Sequence, residues 1–90
     1  MYELVKKILD TAKENNVDVG VAYNYVAKDM GYTEELKAAN DFLSKKYETI
    51  TALRVKGKET DIKVICDMQE KGNTAGVNNY IKNLEDEGVI

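Results

Sequence analysis

Apolar side chains recur every three or four residues over three stretches in the first half of the chain, a spacing typical of amphipathic helices. The stretches, with their apolar positions, are residues 2–15 (Leu4, Val5, Ile8, Leu9, Ala12), 20–30 (Ala22, Val26, Ala27, Met30) and 33–47 (Leu36, Ala39, Phe42, Leu43, Tyr47). Asn16 and Gly31 follow two of these stretches, where a helix commonly ends, and Thr33 stands where it would cap a helix start. The pattern predicts three helices in residues 1–46.

Residues 48–56 differ, because they are rich in β-branched side chains and alternate with a period of two. Thr49, Thr51, Leu53 and Val55 would form one face of a strand, and Ile50, Ala52, Arg54, Lys56 and Lys58 would form the other. A lone strand leaves backbone donors and acceptors unpaired. We therefore expect it to pair with the same strand of a second chain, antiparallel across a two-fold axis.

Two further helices are predicted after this strand. The first covers residues 59–71, and its apolar positions are Ile62, Val64, Ile65, Cys66 and Met68. Gly72 ends it, and Thr74 caps a last helix with the apolar positions Val77, Tyr80, Ile81 and Leu84. The expected fold is mainly α with one β-strand: a helical part over residues 1–46 and a strand-helix-helix part over 47–90, packed as one domain.

Composition excludes several kinds of chemistry. The 90 residues include one cysteine and no histidine, so the common zinc sites and histidine-based catalytic arrangements cannot form. We expect a protein that is not an enzyme and needs no cofactor or metal. No apolar run approaches the length of a membrane span or a signal peptide, so we expect a cytoplasmic protein with no membrane partner. Cys66 is expected to be a small buried apolar residue.

The order of residues from Val26 to Leu36 resembles a helix-turn-helix. Ala27 is small enough for a close helix crossing, and Gly31 stands at the turn. Any tight helical hairpin shows this pattern, so plain packing is the alternative interpretation. The second helix would also present Glu34, Glu35 and Asp41, which repel phosphate.

A second resemblance covers residues 47–88, where strand, helix, glycine turn and helix follow one another. It rests on Ile50-Thr51-Ala52-Leu53-Arg54-Val55, Lys56-Gly57-Lys58, Ile62, Ile65, Gly72 and the stretch from Val77 to Leu84. This order resembles the ribbon-helix-helix family of prokaryotic DNA-binding proteins. The resemblance implies an obligate dimer whose paired strands enter the major groove. It places Ile50, Ala52 and Arg54 toward bases, Lys56 and Lys58 on phosphates, and Asn73 and Thr74 at a helix-terminal phosphate site.

Residues 74–90 are also similar to the third helix and exit of winged-helix regulators, through Leu84-Glu85 followed by Gly88 and Ile90. Together these resemblances imply a small DNA-binding transcriptional regulator of a prokaryote, phage or plasmid, acting as a homodimer. The basic residues Arg54, Lys56 and Lys58 would equally serve as charges that protect a strand edge from aggregation.

A second hypothesis follows from the net charge of −3. An acidic, non-enzymatic protein-binding module or inhibitor, for example one encoded by a phage, could occupy the nucleic-acid channel of another protein by presenting phosphate-like charge. The expected partners are thus DNA, a second copy of the chain, or another protein.

Overall fold

The computed structural model describes residues 1–90 and contains six α-helices and no β-strand. The helices are α1 (Tyr2–Asn15), α2 (Val19–Met30), α3 (Glu34–Lys45), α4 (Tyr47–Val55), α5 (Glu59–Glu70) and α6 (Thr74–Asp86). The chain divides into two compact units of three helices each, Met1–Lys45 and Lys46–Ile90. None of the helices combines the length and apolar content that a bilayer-spanning segment requires.

In the first unit each helix packs against the other two. The buried apolar side chains of this unit are Val5, Ile8, Leu9, Ala22, Val26, Ala27, Leu36, Ala39, Phe42 and Leu43. The three predicted helices are therefore confirmed, together with most of their predicted buried positions. Met30 and Tyr47 are exceptions, because Met30 is 48% exposed at the end of α2 and Tyr47 lies at the start of α4 and is 46% exposed.

Short polar side chains fix the ends of these helices. Asn16 follows α1 in the left-handed conformation, with φ 53° and ψ 47°. Asp18 precedes α2 and accepts a hydrogen bond of 2.9 Å from the Val21 amide. Thr33 precedes α3, and its hydroxyl accepts one of 3.1 Å from the Leu36 amide. Each bond satisfies an amide that the helix itself leaves unpaired.

The predicted strand over residues 48–56 is wrong, because Tyr47–Val55 forms helix α4. Ile50 and Leu53 lie three residues apart and are both fully buried, which is the spacing of a helix face rather than of a strand face. The Thr51 hydroxyl donates to the Tyr47 carbonyl at 2.7 Å, as serine and threonine hydroxyls do within helices. A helix pairs its backbone groups internally and needs no partner strand.

The expected fold class is consequently also wrong: the chain is all-α, and no strand is available for pairing across a dimer. Propensity favoured a strand here, but packing decided otherwise, since a helix places both Ile50 and Leu53 on one side.

In the second unit α5 packs against both α4 and α6. The buried apolar side chains of this unit are Ile50, Leu53, Ile62, Ile65, Cys66, Val77, Ile81 and Leu84. The two helices predicted after residue 58 are confirmed, and so is the burial of Cys66. The predicted cap of the last helix is off by one residue, because Asn73 rather than Thr74 precedes α6 and caps it.

Candidate nucleic-acid interface

The predicted basic cluster lies where α4 ends and α5 begins. Arg54 is half-buried on α4 and its guanidinium lies 3.7 Å from the Glu59 carboxylate. Lys56 follows α4, and its ammonium donates to the Val89 carbonyl near the end of the chain. Lys58 is exposed and immediately precedes α5. Two of the three cations thus have partners within the second unit, and they are less available to bind a phosphate.

Of the other two strand positions predicted to face bases, Ile50 is fully buried and Ala52 is half-buried on α4. Because α4 is a helix, Ala52 and Arg54 do not share the face on which a strand would have placed them. Because there is no strand, a paired ribbon cannot place these two residues against bases.

The connection between α5 and α6 is a tight turn built around Gly72, whose φ is 76°. The Gly72 amide donates to the Gln69 carbonyl and the Asn73 amide donates to the Met68 carbonyl, both at 2.9 Å. This pair of bonds ends α5 as a Schellman motif, which requires the left-handed conformation that glycine adopts easily. The helix–turn–helix connection is thus set by Gly72 and by the residue that follows it.

Asn73 also begins the next helix. Its side-chain oxygen accepts a hydrogen bond of 2.9 Å from the Gly76 amide, in the first turn of α6. Thr74 is the first residue of α6 and is exposed. The structure brings these two predicted residues together at the start of α6, but the Asn73 backbone amide, which was predicted to hold a phosphate, already donates to the Met68 carbonyl.

A feature of charge distinguishes this part of the molecule from the rest. Between Glu70 and Glu85 lies the longest stretch of chain without an acidic residue, and it contains two lysines and four asparagines. Within it, the solvent-facing side of α6 carries Ala75, Asn78, Asn79, Lys82 and Asn83, all of them exposed. We call these five residues the amide face. An acidic protein thus presents one helix surface with amides and a cation.

Lys46 adds a second cation beside the amide face. Its ammonium donates to the side-chain oxygen of Asn78 at 3.2 Å. The bond orients the Asn78 amide and holds a positive charge next to it. Lys82 lies one turn further along α6 from Asn78, so the two lysines flank this asparagine.

The angle at which α6 meets α5 is supported by a hydrogen bond between side chains. The Tyr80 hydroxyl donates to the Asp61 carboxylate at 2.5 Å. This hydrogen bond, with a smaller contribution from burial, raises the pKa of Tyr80 to about 12. The hydroxyl therefore stays protonated and keeps donating over the whole physiological range.

The other helix–turn–helix connection, α2 to α3, has the connectivity that the sequence predicted. Its second helix offers a different surface, since Glu34, Glu35 and Asp41 are all exposed on α3. These carboxylates would face phosphate with like charge. Of the two helix–turn–helix connections, the one ending in α6 is electrostatically better suited to nucleic acid.

Sequence reasoning found Asn73 and Thr74 but missed Asn78, Asn79, Lys82 and Lys46 as candidate contacts. The sequence shows that no acidic residue lies between Glu70 and Glu85, and this absence would have indicated Asn78, Asn79 and Lys82. Nothing in the sequence indicated that Lys46 lies beside Asn78, because the two residues are 32 positions apart.

Comparison with family profiles, with curated proteins and with solved structures found no significant match to this chain.

Proposed function

We propose that this chain is a small non-enzymatic DNA-binding regulator that contacts the major groove through the amide face of α6. The observation that carries the proposal is the acid-free surface over residues 74–84 of α6, the second helix of a tight helix–turn–helix, with Glu85 and Asp86 only in its last turn. In that arrangement the second helix enters the groove, with the residues of its first turns nearest the bases.

The chemistry of the amide face supports base contact. The side-chain oxygen of an asparagine accepts a hydrogen bond from the adenine N6 amino group while its NH2 group donates to N7, so the two pair through two hydrogen bonds. Asn79 and Asn78 lie in the second turn of α6, where such contacts are made. Lys46 and Lys82 would bind the flanking phosphates and supply the electrostatic part of the affinity.

The test is fluorescence anisotropy with a labelled mixed-sequence duplex, first at about 50 mM salt, where phosphate contacts are strongest. We expect binding that weakens as salt rises. Lys82→Gln should reduce the slope of log affinity against log salt by about one, because one phosphate contact is lost. No binding to duplex at this salt, or tighter binding to single-stranded DNA or to RNA, would overturn the proposal.

A matched control separates contact from net charge. Lys37→Gln removes the same charge from an exposed position on α3, in the other unit. It should leave the salt slope unchanged. Asn79→Ala should act differently from both: it should weaken binding to a selected adenine-containing site by up to about a hundredfold and hardly affect mixed-sequence DNA.

The alternative is an acidic, non-enzymatic protein-binding module or inhibitor. The net charge of −3 favours it, since DNA-binding domains are commonly basic. Failure to bind any nucleic acid at low salt, together with stoichiometric binding to a basic nucleic-acid-binding protein, would favour this alternative over the proposal.

A further inference from the structure

Asn78 and Asn79 are neighbours on the amide face, but they differ in what they can offer to a base. The Lys46 ammonium donates to the Asn78 side-chain oxygen at 3.2 Å. An ammonium has three donors and no acceptor, so this bond determines which way the Asn78 amide faces. Its oxygen lies toward Lys46, and its NH2 group is directed away from that cation. Asn79 is exposed and keeps both its oxygen and its NH2 group for a base.

The bonded pair of Lys46 and Asn78 presents hydrogen-bond donors to a base. The Asn78 NH2 group remains a donor, and the ammonium keeps further N–H groups after its bond to the oxygen. The Asn78 oxygen has a second lone pair, but a base donor that approached it would meet the ammonium beside it. A base edge that fits against this pair must therefore accept hydrogen bonds rather than donate them.

Guanine and adenine differ at the edge that they present in the major groove. Guanine presents O6 and N7, which are both acceptors, whereas adenine presents N7 and the N6 amino donor. Against the Lys46–Asn78 pair guanine can accept at both atoms, but the adenine amino group would meet donors. Turning the Asn78 amide around does not help adenine, because it breaks the bond to Lys46, which is stronger once DNA excludes water from it.

We propose that Lys46 determines base specificity: it holds Asn78 so that the two side chains select guanine in the major groove, while Asn79 selects adenine. This specificity rests on the proposed function, because it names the bases that the amide face reads. Lys46 precedes α4 and lies 32 positions before Asn78 in the chain. The base preference of α6 is therefore set partly by a residue outside that helix.

Selection from a pool of random-sequence duplexes, followed by sequencing, gives the preferred site and the base preference at each position. We expect the wild-type site to contain guanine at the position read by the Lys46–Asn78 pair. Fluorescence anisotropy on two duplexes that differ only by guanine or adenine at that position then measures the preference. The wild type should bind the guanine duplex about tenfold more tightly or better, and a guanine analogue without the N7 acceptor should lose most of this advantage.

Variants of the pair should remove this preference. In Lys46→Met the Asn78 oxygen is released, and the ratio of guanine to adenine affinity should fall to about one or below. Asn78→Ala should also abolish the preference, and the double variant should lose no more of it than either single variant does. Lys46→Arg keeps a cationic donor and should retain the preference. Circular dichroism checks that each variant keeps its helix content.

Lys82→Met is the matched control, because it removes the same charge from an exposed position on the amide face. It should weaken binding to both duplexes alike and leave their ratio unchanged. A selected site without guanine, or the same ratio in the wild type and in Lys46→Met, overturns the specificity but leaves the proposed function standing. A fall in the ratio in Lys82→Met as large as that in Lys46→Met also overturns the specificity, because charge alone then explains it. Failure of the wild type to bind any duplex at low salt overturns both.

Discussion

Asn73 and Gly76 depend on each other at the start of α6. The Gly76 amide donates to the Asn73 side-chain oxygen at 2.9 Å, and a Cβ at position 76 would lie 2.7 Å from the Asn73 Cγ. Alanine at this position therefore displaces the cap. Replacing glycine by alanine in a helix normally gains up to about 1 kcal/mol. We expect that gain to be cancelled in Gly76→Ala, because loss of an asparagine cap costs about 1 kcal/mol.

A double-mutant cycle measures this dependence through urea unfolding. In the background of Asn73→Ala the cap is already gone, so Gly76→Ala should then stabilise the protein by the full helix-propensity gain. We expect a coupling of about 1 kcal/mol between the two positions. Gly20 is the control, because a Cβ there would meet the Asp18 carboxylate at 3.4 Å, and Gly20→Ala should leave that cap intact. Equal effects of Gly76→Ala in both backgrounds would contradict the interpretation.

The helices that the sequence predicted correctly are those in which the apolar spacing and the residue that ends the helix lie next to each other in the chain and indicate the same element. In α1 the apolar stripe leads directly to Asn16, which ends the helix by its own conformational preference. Gly72 gives the same information at the end of α5. In such segments periodicity and end signals point to one structure, and no distant residue is needed to decide.

α4 was not predictable in this way, because the sequence alone does not say whether Ile50 and Leu53 lie on opposite faces of a strand or on one face of a helix. The β-branched residues favoured the strand, and the packing partner that decides for the helix is α5, which the sequence does not place. The contact between Tyr80 and Asp61 was hidden for the same reason, since the two residues lie on different helices, 19 positions apart. Neighbouring residues in the sequence show where a helix ends. Whether a segment becomes a helix or a strand, and which side chains bond between helices, depends on how the unit packs.

Leu53 and Val55 distinguish the helix from the strand by mutation. A strand would place both side chains on one face, but in α4 Leu53 is fully buried and Val55 is 88% exposed. Leu53→Ala should therefore destabilise the protein by about 2–5 kcal/mol, because it leaves a cavity. Val55→Ala should change the free energy of unfolding by no more than about 0.5 kcal/mol. Urea unfolding of both variants gives the comparison, and a similar loss of unfolding free energy at the two positions would favour the strand over the helix.

Tyr80 predicts a dependence of stability on pH. Its pKa is raised from 10.0 to about 12 in the folded protein, first by the hydrogen bond to Asp61 and then by burial. The folded state therefore holds this proton more tightly than the unfolded state does. The stabilisation is fully present below pH 10 and is lost as pH rises toward 12.

The measurement is the urea midpoint of the wild type and of Tyr80→Phe at a series of pH values from about 8 to about 11. Lysines also titrate in this range, so only the difference between the two proteins is informative. We expect the advantage of the wild type to shrink as pH rises from about 10. A second check is the tyrosinate absorbance of the folded protein, in which the latest-titrating step should be missing from Tyr80→Phe. A constant difference in midpoint at every pH would argue against the Asp61 bond.

The burial of Cys66 leads to a prediction about how fast its thiol reacts. Burial raises the pKa of Cys66 from 9.0 to about 12, and the side chain is fully buried on α5. Only the thiolate attacks a disulfide reagent at a useful rate, so the folded protein should react very slowly near neutral pH. Reaction then requires transient unfolding, and its rate should rise with urea in parallel with the unfolded fraction. Val55→Cys in a Cys66→Ala background supplies the exposed comparison and should react at once, with little dependence on urea. Rapid labelling of Cys66 in the folded wild type would show that α5 is open to solvent at this position and that the second unit is not packed as described.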